Sequence, residues 1–470
     1  MFATICSAIP ADPDYPERTR RLDVLGRVLD GTLYDALSYE FHEERGAGGE
    51  YIPLRDRRPS VRYPLARIVV DDSVALVFSD GHFPAIGCAD AGVRAALADI
   101  ADESGLNQVI AEAALRGSVG SVAILLRVLS GRVFFRVLPS LYLTPVYEAQ
   151  APDTLARVTE RYKVRGSVLA AQGYEIADPQ ALHWFQRVWD AEREVWFVPQ
   201  AVGAAGALEI DEARSVTHGL GFVPIVWVRN LPGGDDVDGA CTFRAAVETS
   251  IEIDYQLSQA GRGLKYSSDP TLLIREPAGV DGEIVRGANA LVVSERGDAK
   301  LLEINGTAAA AVIDYVRTLR EMALEGVHGN RASADRLTAP QSGRAMEMMN
   351  QGLVWLADNL RVSYGGALLA LARMVLRAGA KYALTAFGEP VGPLDPTVRL
   401  TLAWPRWYAP TAQDTQADVQ SLTALVGARL LSRAAAVRAV AERFAVDDIA
   451  AELERLGGEH DSETTTDEDA

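Results

Sequence analysis

Two adjacent carboxylates, Asp71-Asp72, follow the β-type run Ile68-Val69-Val70, and such a pair can hold Mg²⁺ for phosphodiester chemistry. The same pair also reads as a solvated strand end. Glu43 is the other carboxylate that an enzyme of unfamiliar type could use, but His42-Glu43-Glu44 lacks the second histidine of a zinc-protease motif. Gly117-Ser118-Val119-Gly120-Ser121 is only loosely like a phosphate-cradling loop; without a strand before it and a lysine after it, the segment reads as a turn. There is no Gly-x-x-x-x-Gly-Lys-Ser/Thr and no glycine followed by lysine, which excludes a P-loop motor. The six histidines (His42, His82, His183, His218, His328 and His460) are scattered, and Cys6, Cys88 and Cys241 are far apart. These cysteines read as free thiols of a protein made in a reducing cytoplasm, without the clustering that zinc requires. No catalytic residue, metal site or cofactor is assigned, and the chain reads as a non-enzyme.

The 470 residues suffice for two or three core-bearing regions, and 48% hydrophobic with 23% charged residues is ordinary for a folded soluble protein. No apolar run approaches the length of a membrane span, and the N-terminus lacks the basic start of a secretory signal. A net charge of −18 is unusual for a protein that grips DNA by neutralising phosphates, so any DNA contact should be loose. Acidity that only maintains solubility is the plainer reading. Four lysines (Lys163, Lys265, Lys300, Lys381) leave the basic side almost wholly to arginine.

The periodicity predicts an α+β chain. Residues 20–37 look helical, with Gly26 and Gly31 weakening them, and 65–78 contain strand-like runs. Val122 to Val137 reads as a hairpin around Gly131, 155–165 as a strand, and 184–197 as a strand pair around Asp190-Ala191-Glu192. Leu231-Pro232-Gly233-Gly234-Asp235-Asp236 is the clearest linker between a sheet-bearing and a helix-rich half. A helix starting near Val237 carries Phe243, Val247, Ile251, Tyr255 and Leu257, with Glu248, Glu252 and Asp254 on another side, and Asp269-Pro270 stops it. Short β runs at 271–274 and 290–293 follow, separated by turns at Asp281-Gly282 and Arg296-Gly297-Asp298. Helical period returns with Val312, Tyr315, Val316, Leu319 and Met322, and residues 330–337 form a polar loop. Thr338 and Gln341 fit a capping box for a helix over 340–378, whose stripe runs Met346, Met349, Leu353, Leu356, Leu360, Tyr364, Ala367, Leu371 and Met374. Gly365-Gly366 should kink it. Residues 398–404 make a strand paired in the N-terminal half, 411–456 are helical with Asp414 and Ser432 near helix starts, and the acidic tail after Glu459 should be disordered.

This order of parts resembles the portal proteins of tailed bacteriophages, in particular those of long-tailed phages. The phrases that carry the resemblance, in order over roughly residues 20–456, begin with Arg58-Pro59-Ser60-Val61-Arg62-Tyr63-Pro64 leading into Ile68-Val69-Val70-Asp71, and Gly117-Ser118-Val119-Gly120 before a hairpin ending Val137-Leu138-Pro139. They continue with Gly221-Phe222-Val223-Pro224-Ile225-Val226, then Gln341-Ser342-Gly343-Arg344-Ala345, then an Asp414-Thr415 helix followed by Leu430-Leu431-Ser432-Arg433.

The resemblance implies a non-enzymatic ring, normally of twelve subunits, at one capsid vertex, assembled in the host bacterial cytoplasm and carried in the virion. Double-stranded DNA passes through its channel. Its implied partners are the large terminase, the major capsid and scaffolding proteins, and a head-completion or adaptor protein; no membrane is involved. Residues 1–236 would be the wing, 237–267 and 307–328 the stem helices, 268–306 the clip, 329–339 the tunnel loop, 340–410 the kinked wing helix with its returning strand, and 411–457 the crown, with 458–470 a disordered tail. Asn330, Arg331, Ser333, Asp335 and Arg336 would then sit in the tunnel loop, and Glu248, Glu252, Asp254, Arg262 and Lys265 would face the channel from the stem. Arg275, Glu276, Arg286 and Arg296 would dock partners at the clip. An enzyme using Asp71, Asp72 or Glu43, and a scaffold or adaptor that is not a portal, are the alternatives.

Overall fold

The computed structural model describes residues 1–204, 206–268, 271–277, 293–302, 307–330, 347–348, 350–408, 412–441 and 449–456. The chain divides into two compact units, Met1–Arg331 with Gly352–Pro405, and Ala332–Gln351 with Arg406–Ala470.

The first unit is α+β. Its helices are α1 (Phe2–Ala8), α2 (Glu17–Leu29), α3 (Leu65–Phe78), α4 (Ala91–Glu103), α5 (Leu106–Gly117), α6 (Gly166–Ala171), α7 (Val247–Ser268), α8 (Thr307–Gly326) and α9 (Gln351–Gly379). Strands β1 (Ala85–Gly87), β2 (Ser121–Leu129), β3 (Arg132–Pro139), β4 (Leu143–Glu148), β5 (Ala151–Arg165), β6 (Leu182–Trp189), β7 (Arg193–Trp196), β8 (Gln200–Ala201), β9 (Val216–Thr217), β10 (Ile225–Arg229), β11 (Leu231–Gly234) and β12 (Gly239–Ala240) precede α7. Between α7 and α8 lie β13 (Thr271–Pro277) and β14 (Val293–Leu302); β15 (Thr385–Ala386), β16 (Glu389–Pro390) and β17 (Thr401–Ala403) follow α9. One sheet has the order β10-β2-β3-β15-β16 and a second the order β4-β5-β6-β7-β9, with β8 on β6. The hairpin read around Gly131 is β2–β3, with Leu129 opposite Arg132, and the late strand β17 pairs with β1 in the N-terminal half.

Among the described residues, three apolar cores follow from these elements. Helices α1, α2, α3 and α7 share one that includes Ile5, Val24, Leu25, Val70, Phe243, Val247 and Ile251. Val93, Leu97, Leu126, Ala372, Val375 and Leu376 join α4 and α9 to β2. Leu125, Val158, Trp189 and Ile225 fill the space between strands of the two sheets. A buried charge network supports the second sheet, where Arg187, 5% exposed, pairs with Glu160 and with Glu194 and stacks on Trp189 and Trp196.

Several expectations change. Residues 65–78 are helical, because Leu65, Ala66, Val69, Val70, Ser73 and Val77 are buried together at helical spacing; the β-branched content of the run gave the wrong period. Helix α2 stops at Leu29, and Gly31 takes a φ of +72° before a short 3₁₀ turn, so 20–37 is not one helix. The 231–236 segment is no linker. It forms the β11–β12 hairpin, where Gly239 N–H bonds to Gly120 O at 2.9 Å and the 2%-exposed Asp238 pairs with Arg18 and Arg21. That hairpin delays the first long helix from the expected 237 to Val247. Arg296-Gly297-Asp298 lies within β14, not in a turn.

The long helix begins at Gln351, after a turn at Asn350, and not at residue 340; positions 340–346 and Met349 lie outside the described residues. Its stripe from Leu353 to Leu371 is buried as the spacing predicts. Gly365, expected at a kink, sits within an uninterrupted helix, where a Cβ would come within 3.1 Å of Trp404 and 3.2 Å of Leu402. Close packing explains this glycine. In the second unit α10 (Ala412–Gly427) has Asp414 in its first turn, and α11 (Arg433–Ala441) is capped by Ser432 Oγ, which accepts from Ala435 N–H at 3.2 Å. The tail after 456 is outside the described residues.

Candidate functional site

Antiparallel pairing of Thr271 with Leu302 brings the end of α7 beside the start of α8, so β13–β14 continues a helical hairpin. The first half of α7 is buried through Val247, Ile251, Ile253 and Tyr255, whereas Leu264 near its end is 49% exposed. On α8 the gradient runs in reverse. Ala323 and Leu324 near its end, and Val327 just after it, are buried, while Ile313 and Tyr315 nearer its start are 44% and 47% exposed. The helical hairpin is thus rooted in the core at one end and leaves it at the other, as an arm with a strand hairpin beyond its exposed end.

Polar contacts fix the root. Tyr34 O–H donates to Asp254 Oδ2 at 2.6 Å and Tyr63 N–H to Oδ1 at 2.6 Å. One turn on, Ser258 Oγ accepts from Val61 N–H at 2.9 Å, and Tyr255 O–H donates to Arg57 O at 2.8 Å. Burial pushes the Asp254 carboxyl up to about 6, against the lowering effect of Tyr34, the Tyr63 amide and Arg62. Asp254 is 4% exposed and cannot face a channel, which corrects its place in the stem set. The reason is helical phase: 247, 251, 254, 255 and 258 fall on one face, so Asp254 and Ser258 lie on the apolar stripe. Glu248 is exposed, Glu252 accepts from Gln256 at 2.7 Å, Arg262 pairs with Glu44, and Lys265 is exposed near the end of α7.

At the foot of α8, His328 adopts a φ of +54° and Gly329 N–H bonds to Leu324 O at 2.8 Å, a left-handed cap that ends the helix. A Cβ on Gly329 would meet the Leu324 side chain at 2.8 Å and that of Val69 at 3.3 Å, so an added methyl must push these side chains aside. The His328 ring lies edge-on to Trp355, with centroids 6.1 Å apart. Asn330 hydrogen-bonds the Asp72 side chain. Arg331, Ser333, Asp335 and Arg336 lie outside the described residues, as does Arg286. Arg275 and Glu276 fall on β13 and Arg296 on β14.

The candidate catalytic carboxylates do not converge. Asp71 and Asp72 are consecutive residues inside α3, about 100° apart around its axis. Both oxygens of Asp71 are held by Arg67 Nε at 2.8 and 2.9 Å. Burial raises the Asp72 pKa, with Asn330 and Arg320 opposing and Asp71 adding to the rise. Glu43 accepts from Glu40 N–H. Among the described residues no group of three or more His, Cys, Asp or Glu could hold a metal ion, and no helix is long and apolar enough to cross a membrane.

No protein-family model matches the chain, and no curated protein matches it. A solved structure described as the neck of a native GTA particle, computed with C12 symmetry, contains a chain similar to this one, with a TM-score of 0.42 and 10% identity. The match covers 93% of this chain and 97% of that chain.

Proposed function

We propose that this protein is a phage portal, a ring-shaped channel at one capsid vertex through which DNA is packaged and ejected. The observation that carries the reading is the arm: two helices rooted at one end, exposed at the other, and continued by a strand hairpin. In this reading α7 and α8 are the stem, β13–β14 belong to the clip that meets terminase and later the head-completion or adaptor protein, and the sheets with α9 form the wing. The helices after residue 411 are the crown. The segment from Asn330 through Arg331, Ser333, Asp335 and Arg336 is the tunnel loop, and Glu248, Glu252, Arg262 and Lys265 are the stem's channel-facing set. Capsid and scaffolding proteins surround the ring, and the protein resides in the virion.

Exposed Ile313, Tyr315 and Met322 on a rooted helix favour assembly, since an isolated chain gains nothing from leaving them in water. The test is particle size. Twelve copies of a 50.6 kDa chain make a ring of about 600 kDa with visible rotational symmetry in negative stain. A clean monomer at micromolar concentration refutes the reading. The enzyme alternative is tested by Mg²⁺-dependent DNA cleavage: turnover that vanishes in Asp71→Asn/Asp72→Asn would replace the portal reading, and none is expected. Arg331→Ala/Arg336→Ala should assemble normally but package or retain less DNA, and full packaging by that variant removes the two arginines from any essential DNA contact.

A further inference from the structure

Strand β5 carries Arg157, Thr159, Arg161, Lys163 and Arg165 at every second position, so all five share one face of the second sheet. The alternate residues turn to the other face, where Val158 is fully buried and Glu160 holds Arg187. Pairing with β4 and β6 sets Val146 opposite Arg157, Thr144 opposite Thr159, Gln186 opposite Arg161, Trp184 opposite Lys163 and Leu182 opposite Arg165. None of these cross-strand neighbours is acidic.

Lys163 is neutralised by Asp12 and Asp14, at 2.7 and 2.5 Å. The three arginines are exposed and are not neutralised. Arg161 lies over Trp184, 4.1 Å from the ring centroid, and among the described residues none of the three side chains makes a hydrogen bond or an ion pair. In a chain with a net charge of −18, arginines elsewhere on this unit find carboxylates readily, as Arg18, Arg67, Arg116 and Arg187 do. The β5 row is a local exception.

Its shape narrows the partner. Neighbouring arginines are four residues apart on one strand, about 13 Å, and the row spans about 26 Å. A straight row of cations on a sheet fits a straight polyanion, and duplex DNA, which persists for about 150 bp, is straight over that length. Thr159 and Gln186 lie between the charges and are side chains of the kind that donate to phosphate oxygens. Trp184 is already covered by Arg161 and Lys163, so its ring is not free to stack an unpaired base as single-strand sites do. We propose that this face of β5 binds the phosphate backbone of double-stranded DNA through Arg157, Arg161 and Arg165, without sequence preference. None of these arginines belongs to the channel-facing or tunnel-loop sets, and the site does not depend on the ring reading. The acidic remainder of the chain opposes binding weakly, because charges more than about 10 Å away are largely screened at 0.1 M salt.

The test is fluorescence anisotropy of a labelled duplex of about 30 bp, titrated with the full chain between about 25 and 200 mM salt. Arg157→Gln/Arg161→Gln/Arg165→Gln changes only exposed side chains, so its urea midpoint should match the wild type. It should lose at least about tenfold in affinity at about 50 mM salt, and its slope of log K against log salt should flatten by about 2.7, at about 0.9 for each lost phosphate contact. Arg317→Gln/Arg373→Gln/Arg399→Gln removes the same charge from exposed positions elsewhere and should bind like the wild type. A wild type that does not bind the duplex, a β5 variant that binds as well as the wild type, or a control variant that loses as much, each overturns the site. Unlabelled single strand or poly-L-glutamate that displaces the duplex better than unlabelled duplex also overturns it, in favour of an unpaired strand or an acidic protein. Negative stain of the same samples scores ring formation separately, so failure of the DNA face and failure of the portal reading are told apart.

Discussion

Replacing Asp254 by Asn tests how α7 is rooted. The asparagine keeps the shape and can still accept from Tyr63 N–H, but it carries no charge. Asp254 is displaced from 3.8 to about 6 by burial, so the folded protein binds more protons than the unfolded chain between roughly pH 4 and 6. Stability contributed by this group therefore falls as pH rises through that window, and the cost is fully present above about pH 6. At about 1.4 kcal/mol per pH unit the full cost is about 3 kcal/mol, of which about 0.8 kcal/mol is relieved by pH 5.5. The sequence pI of about 4.9 makes the range from pH 5.5 to 7.5 the practical one for a soluble sample. Urea unfolding of both proteins followed by tryptophan fluorescence gives the comparison. The stability of Asp254→Asn relative to wild type should be greater at pH 7.5 than at pH 5.5 by about 0.8 kcal/mol, whatever the absolute effect of the substitution. A difference that does not change with pH, or that changes in the opposite direction, refutes the assignment of Asp254 as a buried carboxylate held at a cost.

Other expectations follow from packing. Arg187→Ala removes the guanidinium shared by Glu160 and the 7%-exposed Glu194 and should cost about 3–5 kcal/mol, measured as a lowered urea midpoint. Gly117→Ala would drive a methyl into the hydroxyl of Tyr364, which is fully buried, and to 3.0 Å from Val122; a loss of about 1–3 kcal/mol is expected, and an unchanged midpoint would show that α5 can shift. Gly329→Ala should loosen the foot of α8 by a similar amount, with faster amide exchange over 323–327 as the reading.

Much of this architecture was legible because its signals were periodic. The stripe from Leu353 to Leu371, the β2–β3 hairpin around Gly131 and the Ser432 cap depend on local spacing, and each stands where the sequence put it. What failed depended on neighbours far along the chain. Val69 and Val70 look strand-like until both are found fully buried on α3, and Gly233-Gly234 looks like a linker until Asp238 is found paired with Arg18. Asp254 was read as solvent-facing because it is charged, although its phase places it with Ile251 and Tyr255; the phase was available in the sequence and should have outweighed the charge. Its partners, Tyr34 and Tyr63, lie about 190–220 positions away and gave no local signal. Trp355 was missed for the same reason, since its contact with His328 joins α9 to the turn after α8, 27 positions away in sequence.

That last contact also supplies an internal reporter. Trp355 is 53% exposed, and its ring meets that of His328 edge-on with centroids 6.1 Å apart, at the foot of α8 and the start of α9. The difference in fluorescence between the wild type and Trp355→Phe isolates the signal of this one indole, and movement of α8 against α9 would register there without any added label.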